Sequence, residues 1–569
     1  MNFTLSEYQK QIRSNIFTDE SKNLDLLGLF YKDTLKSFYA ARNYKPLFIK
    51  SFEEQHFIDS LLNFIGKADE HGLNINWYHY NQIKTEFSLS IGDSIKHHGQ
   101  YKNLANAELL VCDAVLRYAN HIKYGVVNPK AILYDRYNLP VPDSSNKDLF
   151  EPLKKENLFK YLNEIQPKSK KYKLLQGALR RLKPLANFKW HKIPVPSKKI
   201  ILGDSDSSLT QINERLITLG FIDTSKIRIN NSAIYDSLML NTIKKFQKVY
   251  GLVEDGVISK NTIEKLNITP DEYIDKIKVS LERFRWIDYS DTASYILVNI
   301  PDFRLYLIEN GKEKFDITVC TGRKRYAGFE KQYLLYKRTR RWQNKPDDWE
   351  TPTMYGEISY LVLNPTWTVP VSIMREEISA KIRKDSTYLQ STNFKVYKSG
   401  KEIDPLEVNS HDLLKANIPY TIVQDPGAGN ALGKIKFMFA NPFGIYLHDT
   451  PTRAPFGYQN RAVSHGCIRV EKPLQLAEYI LNNNSKWNID YLKLEVGNKI
   501  NNNSVVEEFR KKRNELRRNS SYGKTTEVKL NKKIHLFVDY YTAWVDNRGY
   551  LNIRDDVYDQ DKIVLGYLK

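Results

Sequence analysis

Only three of the 569 residues are cysteine: Cys112, Cys320 and Cys467. So sparse and odd a set argues against a disulfide framework, and no CxxC pair suggests a structural zinc site. Long apolar runs are missing too. The richest stretch, AELLVCDAVL, carries Glu108 and Asp113, so no membrane span is expected. The opening MNFTLSEYQKQIRSNIF has no apolar h-region, so no export signal is visible in it. Internal repeats and low-complexity tracts are absent as well.

Acidic residues are outnumbered, 66 Asp and Glu against 86 Lys and Arg, for a net charge of +20. That balance favours an acidic partner: nucleic acid, an anionic membrane surface or an acidic envelope polymer. Aromatics are abundant, with 37 tyrosines and 25 phenylalanines, and 41% of residues are hydrophobic. Such a chain fills packed cores and can line grooves for sugars or extended peptides; it is not a disordered one. Its length suggests about three or four domains.

Residues from about 24 to 195 read as mostly helical. Phe57, Leu61, Phe64 and Ala68 form one apolar face that stops at His71-Gly72. Ala107 to Tyr118 forms another, with Cys112 as a small core residue in its stripe. After the linker KIPVPSKK (192–199), a compact unit spans about 203–268. Leu209, Ile212, Leu216 and Leu219 mark its first helix, closed by Gly220; Ile243, Phe246 and Val249 mark its second. A turn at Asp255-Gly256 and a third helix capped near Ser259 complete a small bundle with no catalytic residues of its own.

From about 278 the hydrophobic period becomes two. SYILVNIPDFRLYLIENGKEKFDITV reads as strands around an Asn310-Gly311 hairpin turn, with Cys320 as a core strand residue. More strands are expected at 357–369 and 434–449, then a helix from near Pro473. A charged helix (505–519) and a hairpin turning at Asp546 to Gly549 follow. The fold class is α+β and multidomain. A helical scaffold (1–200) and a three-helix bundle (203–268) precede a mixed-sheet domain (278–500), and residues 501–569 complete the scaffold or sheet region.

The chemistry concentrates in GIYLHD and SHGCIRV. Strand alternation puts Ile445 and Leu447 on one face and Tyr446 and His448 on the other. Cys467 follows His448 by nineteen residues, through a loop long enough to return the thiol beside that strand. An ordinary thiol is only a few per cent thiolate at neutral pH, so an imidazole within reach would take its proton and later return it to a leaving amine. Gly466 lets a substrate carbonyl approach the backbone, and the N–H groups of Gly466 and Cys467 are candidate oxyanion donors. Arg469 is placed to bind a substrate carboxylate or to orient the loop. Two other readings stand beside this one: an inert buried thiol, and a zinc site from His448, His465 and Cys467, which lacks the usual short ligand spacings. The residues favour a Cys–His nucleophilic site.

The string from His448 to Val470, H-D-T-x12-S-H-G-C-I-R-V, resembles the active-site signature of YkuD-type L,D-transpeptidases. The resemblance implies Cys467 as nucleophile and His448 as general base, with Ser464, His465, Gly466 and Arg469 completing the motif. Tyr446 matches an aromatic near the cleft, and Trp367 is a further support residue. FQKVYGL, DGVISKNT and LN within 203–268 resemble a type 1 peptidoglycan-binding domain. FYAARNYKPLF, ADEHGLNINWYH, EISYLVLNPTWTVP, NALGKIKFMFANPF and TAWVDNRGYLNIRDDVY resemble the large YcbB-like branch of the family, whose capping lid corresponds to about 371–430.

What the resemblance implies is a 3→3 cross-linking enzyme of peptidoglycan. It would form a cysteine acyl-enzyme from tetrapeptide stems with loss of D-alanine and need no metal or organic cofactor. Its expected partners are stem peptides and glycan, with carbapenem-type β-lactams as covalent inhibitors and no nucleic acid. Its expected location is the periplasm or cell envelope. The same Cys–His pair also serves an L,D-carboxypeptidase or endopeptidase, with water as acceptor. A non-catalytic binder of envelope polymer or nucleic acid is the remaining alternative; RKRYAGF and YKRTRRW interleave cations and rings. The segment 323–350, longer and more basic than usual in the family, reads as a solvated excursion or as a contact with an acidic polymer or partner protein.

Overall fold

The computed structural model describes residues 4–17, 27–48, 56–90, 98–142, 148–187, 190–222, 234–287, 289, 293–482, 484, 486–519 and 525–569. The chain forms two compact units, one from residues 1–134, 140–290 and 541–569, the other from 135–139 and 291–540.

The first unit is helical. The helix His98–Tyr124 runs through its core and buries Leu109, Val111, Cys112 and Val115 against Tyr8, Tyr39, Leu61 and Ile65. Glu108 is wholly buried on this helix and accepts from the hydroxyls of Tyr39 (2.8 Å) and Tyr8 (3.3 Å) and from backbone N–H groups of Leu47 and Phe48. Those donors make the buried carboxyl tolerable. The apolar face that begins at Phe57 continues through Lys67–His71 and ends at Gly72, whose φ of 74° suits glycine.

Helices Ser208–Thr218, Ser237–Val249 and Lys260–Leu266 form the expected small bundle. Ser259 makes a capping box with Thr262, and Gly256 takes a left-handed φ of 74°. The next helix, Pro270–Trp286, was not foreseen as one: the sequence reading placed period-two structure from about 278. Thr269 and Glu272 cap it reciprocally, with Pro270 at its first position. The final hairpin, Ala543–Val545 with Leu551–Ile553, belongs to this unit, and Ala543 N–H donates to Ser280 Oγ at 3.1 Å.

The second unit is built on a ten-stranded sheet. Its strands are β1 (Tyr137–Asn138), β2 (Tyr295–Asn299), β3 (Arg304–Glu309), β4 (Lys312–Gly322) and β5 (Thr353–Leu363). Four short strands, β6 (Trp367–Thr368), β7 (Phe394–Lys398), β8 (Lys401–Ile403) and β9 (Tyr420–Gln424), form a separate sheet. The main sheet resumes with β10 (Ile435–Phe439), β11 (Leu447–His448), β12 (Ala462–Ser464), β13 (Ile468–Val470) and β14 (Thr526–Asp539). Its path is β1-β5-β10-β11-β13-β4-β3-β2-β14, and a further β5–β14 pairing closes it into a ring. Ile296, Leu305, Leu361, Phe437, Leu447, Ile468 and Leu536 are buried in this unit, as alternation requires of strands with one apolar face. Asn310 (φ 50°) and Gly311 (φ 71°) supply the two left-handed residues of the β3–β4 turn.

The β6–β9 sheet has its own core, in which Val369, Ile373, Ile378, Leu389, Phe394 and Ile422 pack together. Asn364 (φ 47°) and Pro365 end β5 and turn the chain toward it. A π-helical turn, Met374–Ile378, lies in this cap. The segment 323–350 contains a helix, Phe329–Thr339, of which only Phe329 is buried.

Candidate active site

Sheet register assembles the site. On β10, β11 and β13, Lys436 pairs with His448 and His448 with Arg469, and Arg469 pairs with Cys320 of β4. Directly paired residues share a face, so one row across four strands carries Lys436, His448, Arg469 and Cys320. Tyr446 and Cys467 lie two residues back on their own segments and extend the same face. Cys467 thus sits at the mouth of a strand; the helix Pro473–Leu481 begins only after β13.

The thiol of Cys467 is half-buried. Both the hydroxyl and the backbone N–H of Tyr446 hydrogen-bond its sulfur. Burial pushes the thiol above the ordinary thiol range, while the two Tyr446 bonds and the charges of Lys436 and Arg469 pull the other way. Lys436 Nζ stands 3.7 Å from the centre of the Tyr446 ring, whose centroid is 5.6 Å from that of His448.

His448 is buried, and its Nδ1–H donates to the backbone carbonyl of Asp449. The Leu432 backbone also hydrogen-bonds the ring, and both backbone contacts favour a ring N–H. Burial first, then the charges of Arg469 and Lys436, lower the imidazole to about 3. Burial thus disfavours the charged form of each group. Asp449 anchors the next turn by accepting from Lys434 N–H, Thr450 N–H and Arg453.

The SHGC loop is held by its own backbone and by β4. Ser464 Oγ donates to the Cys467 carbonyl (2.6 Å) and accepts from Gly466 N–H (3.2 Å). Gly466 N–H thus has Ser464 Oγ as its partner here. Gly466 has φ of 105°, a conformation that favours glycine. Thr351 was missed by the sequence reading. Its hydroxyl donates to the Gly466 carbonyl (2.7 Å) and accepts from Gly322 N–H (2.8 Å).

His465 points toward the cap. Its Nε2 is 2.9 Å from Glu377 Oε1 and 2.8 Å from Arg323 Nη2, and its ring meets Trp349 edge-on at 4.4 Å. Arg323 stacks on that same indole at 3.7 Å. Among the described residues no group of three or more His, Cys, Asp or Glu is placed to hold a metal ion. Trp367, on β6, packs on the cap core with its ring 6.2 Å from that of Phe394. Lys436 was the other omission. Its signal is the charge alternating into the apolar IKFMF, but which site it faces depends on register.

Residues 293–501 match the family described as L,D-transpeptidase catalytic domain, known as YkuD. Residues 33–179 match a "Scaffold domain" and residues 205–266 a "Putative peptidoglycan binding domain". The chain therefore contains a YkuD-type catalytic domain and a peptidoglycan-binding-type module in one α+β, multidomain architecture. A curated protein of Haemophilus influenzae named "Putative L,D-transpeptidase" is 29% identical over 304 residues, 53% of this chain; the match spans about half (50%) of that protein's length. A crystal structure of an L,D-transpeptidase from Xylanimonas cellulosilytica is similar at 14% identity, covering 52% of this chain and 95% of that one, with a TM-score of 0.18. One from Stackebrandtia nassauensis covers 50% and 91% at 15% identity, with a TM-score of 0.21.

Proposed function

We propose that the chain is a peptidoglycan L,D-transpeptidase that joins stem peptides by 3→3 cross-links through an acyl-enzyme on Cys467. The observation that carries this reading is the single face holding Lys436, Tyr446, His448, Cys467 and Arg469, beside a SHGC loop fixed at both ends.

Cys467 Sγ attacks the carbonyl of the third residue of a tetrapeptide stem. His448 takes the thiol proton as the carbon–sulfur bond forms. The N–H groups of Gly466 and Cys467, with Tyr446 and Lys436 beside the thiol, are the donors for the forming oxyanion. The terminal D-alanine leaves as its nitrogen receives the proton from His448. The side-chain amine of a second stem then attacks the thioester, the amide forms, and the thiol is restored. Arg469, whose buried Nε has no hydrogen-bond partner among the described residues, suits a substrate carboxylate.

The catalytic domain and the peptidoglycan-binding-type module together fit peptidoglycan as substrate, and the net charge of +20 suits its acidic groups. Action in the periplasm or cell envelope follows from that substrate; among the described residues no helix is long and apolar enough to cross a membrane. Carbapenem-type β-lactams would acylate the same thiol. Mass spectrometry after incubation with a purified disaccharide-tetrapeptide tests the reading. Cross-linked dimers with loss of D-alanine are expected. Tripeptide alone would make water the acceptor and the enzyme an L,D-carboxypeptidase, and no thiol-dependent product would overturn the assignment.

A further inference from the structure

The basic segment 323–350, which the transpeptidase chemistry above leaves unused, carries nine Lys and Arg against four Asp and Glu. Its four acids all have partners within the second unit. The Arg325 guanidinium binds Asp348 (3.1 Å) and Glu330 (3.0 Å), and its backbone N–H donates to Glu350 (3.0 Å). Arg136 also pairs with Glu330, at 3.3 Å, and Asp347 and Glu376 hydrogen-bond each other. The cations are left over. Among the described residues Lys331, Arg338, Arg340 and Arg341 are exposed and form no ion pair.

The helix Phe329–Thr339 sorts these groups onto one side. Its inner face is anchored: Phe329 is buried, the Tyr333 ring stacks on it at 5.9 Å, and the Arg325 guanidinium lies 4.3 Å from its ring centre. The opposite face carries Lys331, Leu334, Leu335 and Arg338, spaced i, i+3, i+4 and i+7 and all exposed. Leu334 is 64% exposed and Leu335 38%. Two leucines thus stand in solvent between two unpaired cations, and Arg340 and Arg341 follow just past the helix end.

We propose that this face docks on the surface of an anionic phospholipid bilayer, with Leu334 and Leu335 entering the headgroup boundary and Lys331, Arg338, Arg340 and Arg341 on the phosphates. Charge complementarity selects an anionic surface, and the leucines narrow the choice. A glycan or a nucleic acid answers the cations but has no place for two leucines. A protein groove takes a helix by apolar anchors at all four of these positions, and here the outer two are charged. A bilayer accepts both at once: apolar side chains sink to the acyl boundary while Lys and Arg heads stay among the phosphates. The Arg325 bonds fold the excursion in advance, so docking orders little of the chain. Such docking attaches the protein to a surface without crossing it and is independent of the chemistry at Cys467.

The test is flotation of the full chain with two kinds of vesicle: phosphatidylcholine alone, and equal parts phosphatidylcholine and phosphatidylglycerol. The parent should bind the anionic vesicles and not the neutral ones, and added salt should weaken binding. Each Lys or Arg at an anionic surface strengthens binding about fivefold, so Lys331→Gln with Arg338→Gln should lower the partition coefficient about twentyfold. Leu334→Ser with Leu335→Ser changes no charge and should lower it about tenfold. Arg510→Gln with Lys511→Gln removes the same charge from another exposed helix and should change it less than about twofold. All six positions are exposed, and thermal melts check that each variant folds. A parent that ignores the anionic vesicles, or a control pair as damaging as Lys331 and Arg338, overturns the docking. A leucine variant that binds as the parent does overturns it too, and leaves the face to an acidic polymer or protein.

Discussion

Thr351 Oγ1 donates to the carbonyl oxygen of Gly466 at 2.7 Å and, through the same oxygen, accepts from Gly322 N–H at 2.8 Å. One hydroxyl thus ties the residue before the nucleophile to the end of β4. A Cβ on Gly322 would meet the Trp349 carbonyl at 1.8 Å, so the strand end has no room to shift and the tie is rigid. Thr351→Val preserves shape but removes both bonds and leaves two buried backbone groups unpaired. It should cost about 1–3 kcal/mol of stability, read from denaturant midpoints. Turnover should fall about tenfold with little change in KM. Thr351→Ser should restore most of both.

Tyr446→Phe removes the hydroxyl on the Cys467 sulfur while keeping the ring under Lys436. Because that bond favours thiolate, its loss should move the thiol further up in pH. Alkylation by iodoacetamide, followed against pH, should show its midpoint displaced upward relative to the parent. An unchanged midpoint would remove Tyr446 from the nucleophile's environment.

Cys467→Ala should abolish product formation. Intact-mass analysis with a carbapenem should show one covalent adduct on the parent chain and none on this variant. Adducts on Cys112 or Cys320 are not expected, since both are fully buried and burial raises both thiols.

Acid should weaken the helical unit through His71 and His121. Both are buried and lowered to about 3, mainly by desolvation and further by Arg285, with Arg117 also acting on His121. Unfolded, each titrates near the ordinary 6.5, so between about 6.5 and 3 the unfolded chain binds more protons than the folded one. Their contribution is complete above about 6.5 and is lost as pH falls toward 3. Denaturant midpoints should drop across that window, and His121→Asn, beside the Tyr78 hydroxyl 2.9 Å away, should flatten the slope.

What the sequence revealed was local. Asn310-Gly311 and the Ser259 cap were readable because each turn is specified by a few adjacent residues. The helix Pro270–Trp286 escaped because Val279-Ser280-Leu281-Glu282 and Phe284-Arg285-Trp286 alternate apolar and polar residues as a strand does, with Glu282, Arg283 and Arg285 buried instead of marking a solvent face, although Thr269, Pro270 and Glu272 marked its start. The site was legible where chemistry sits in one motif, as at Ser464 to Arg469. Lys436, Thr351 and Glu377 come from a strand, a loop and the cap far apart in sequence, so only strand register and the cap's placement bring them to the motif.

The Ala543 N–H to Ser280 Oγ bond joins residues 263 positions apart, and all of the second unit except 135–139 is spelled between them. A ribosome must therefore synthesise all of 291–540 before the helical unit receives its last hairpin and helix. Closing so long a loop carries an entropic penalty that local helices do not face, and it makes assembly slow. Until then Phe284, which stacks on Tyr541 at 4.5 Å when folded, lacks that partner. A nascent chain in this condition exposes apolar surface for the time needed to translate half its length, which makes it a natural client for chaperones.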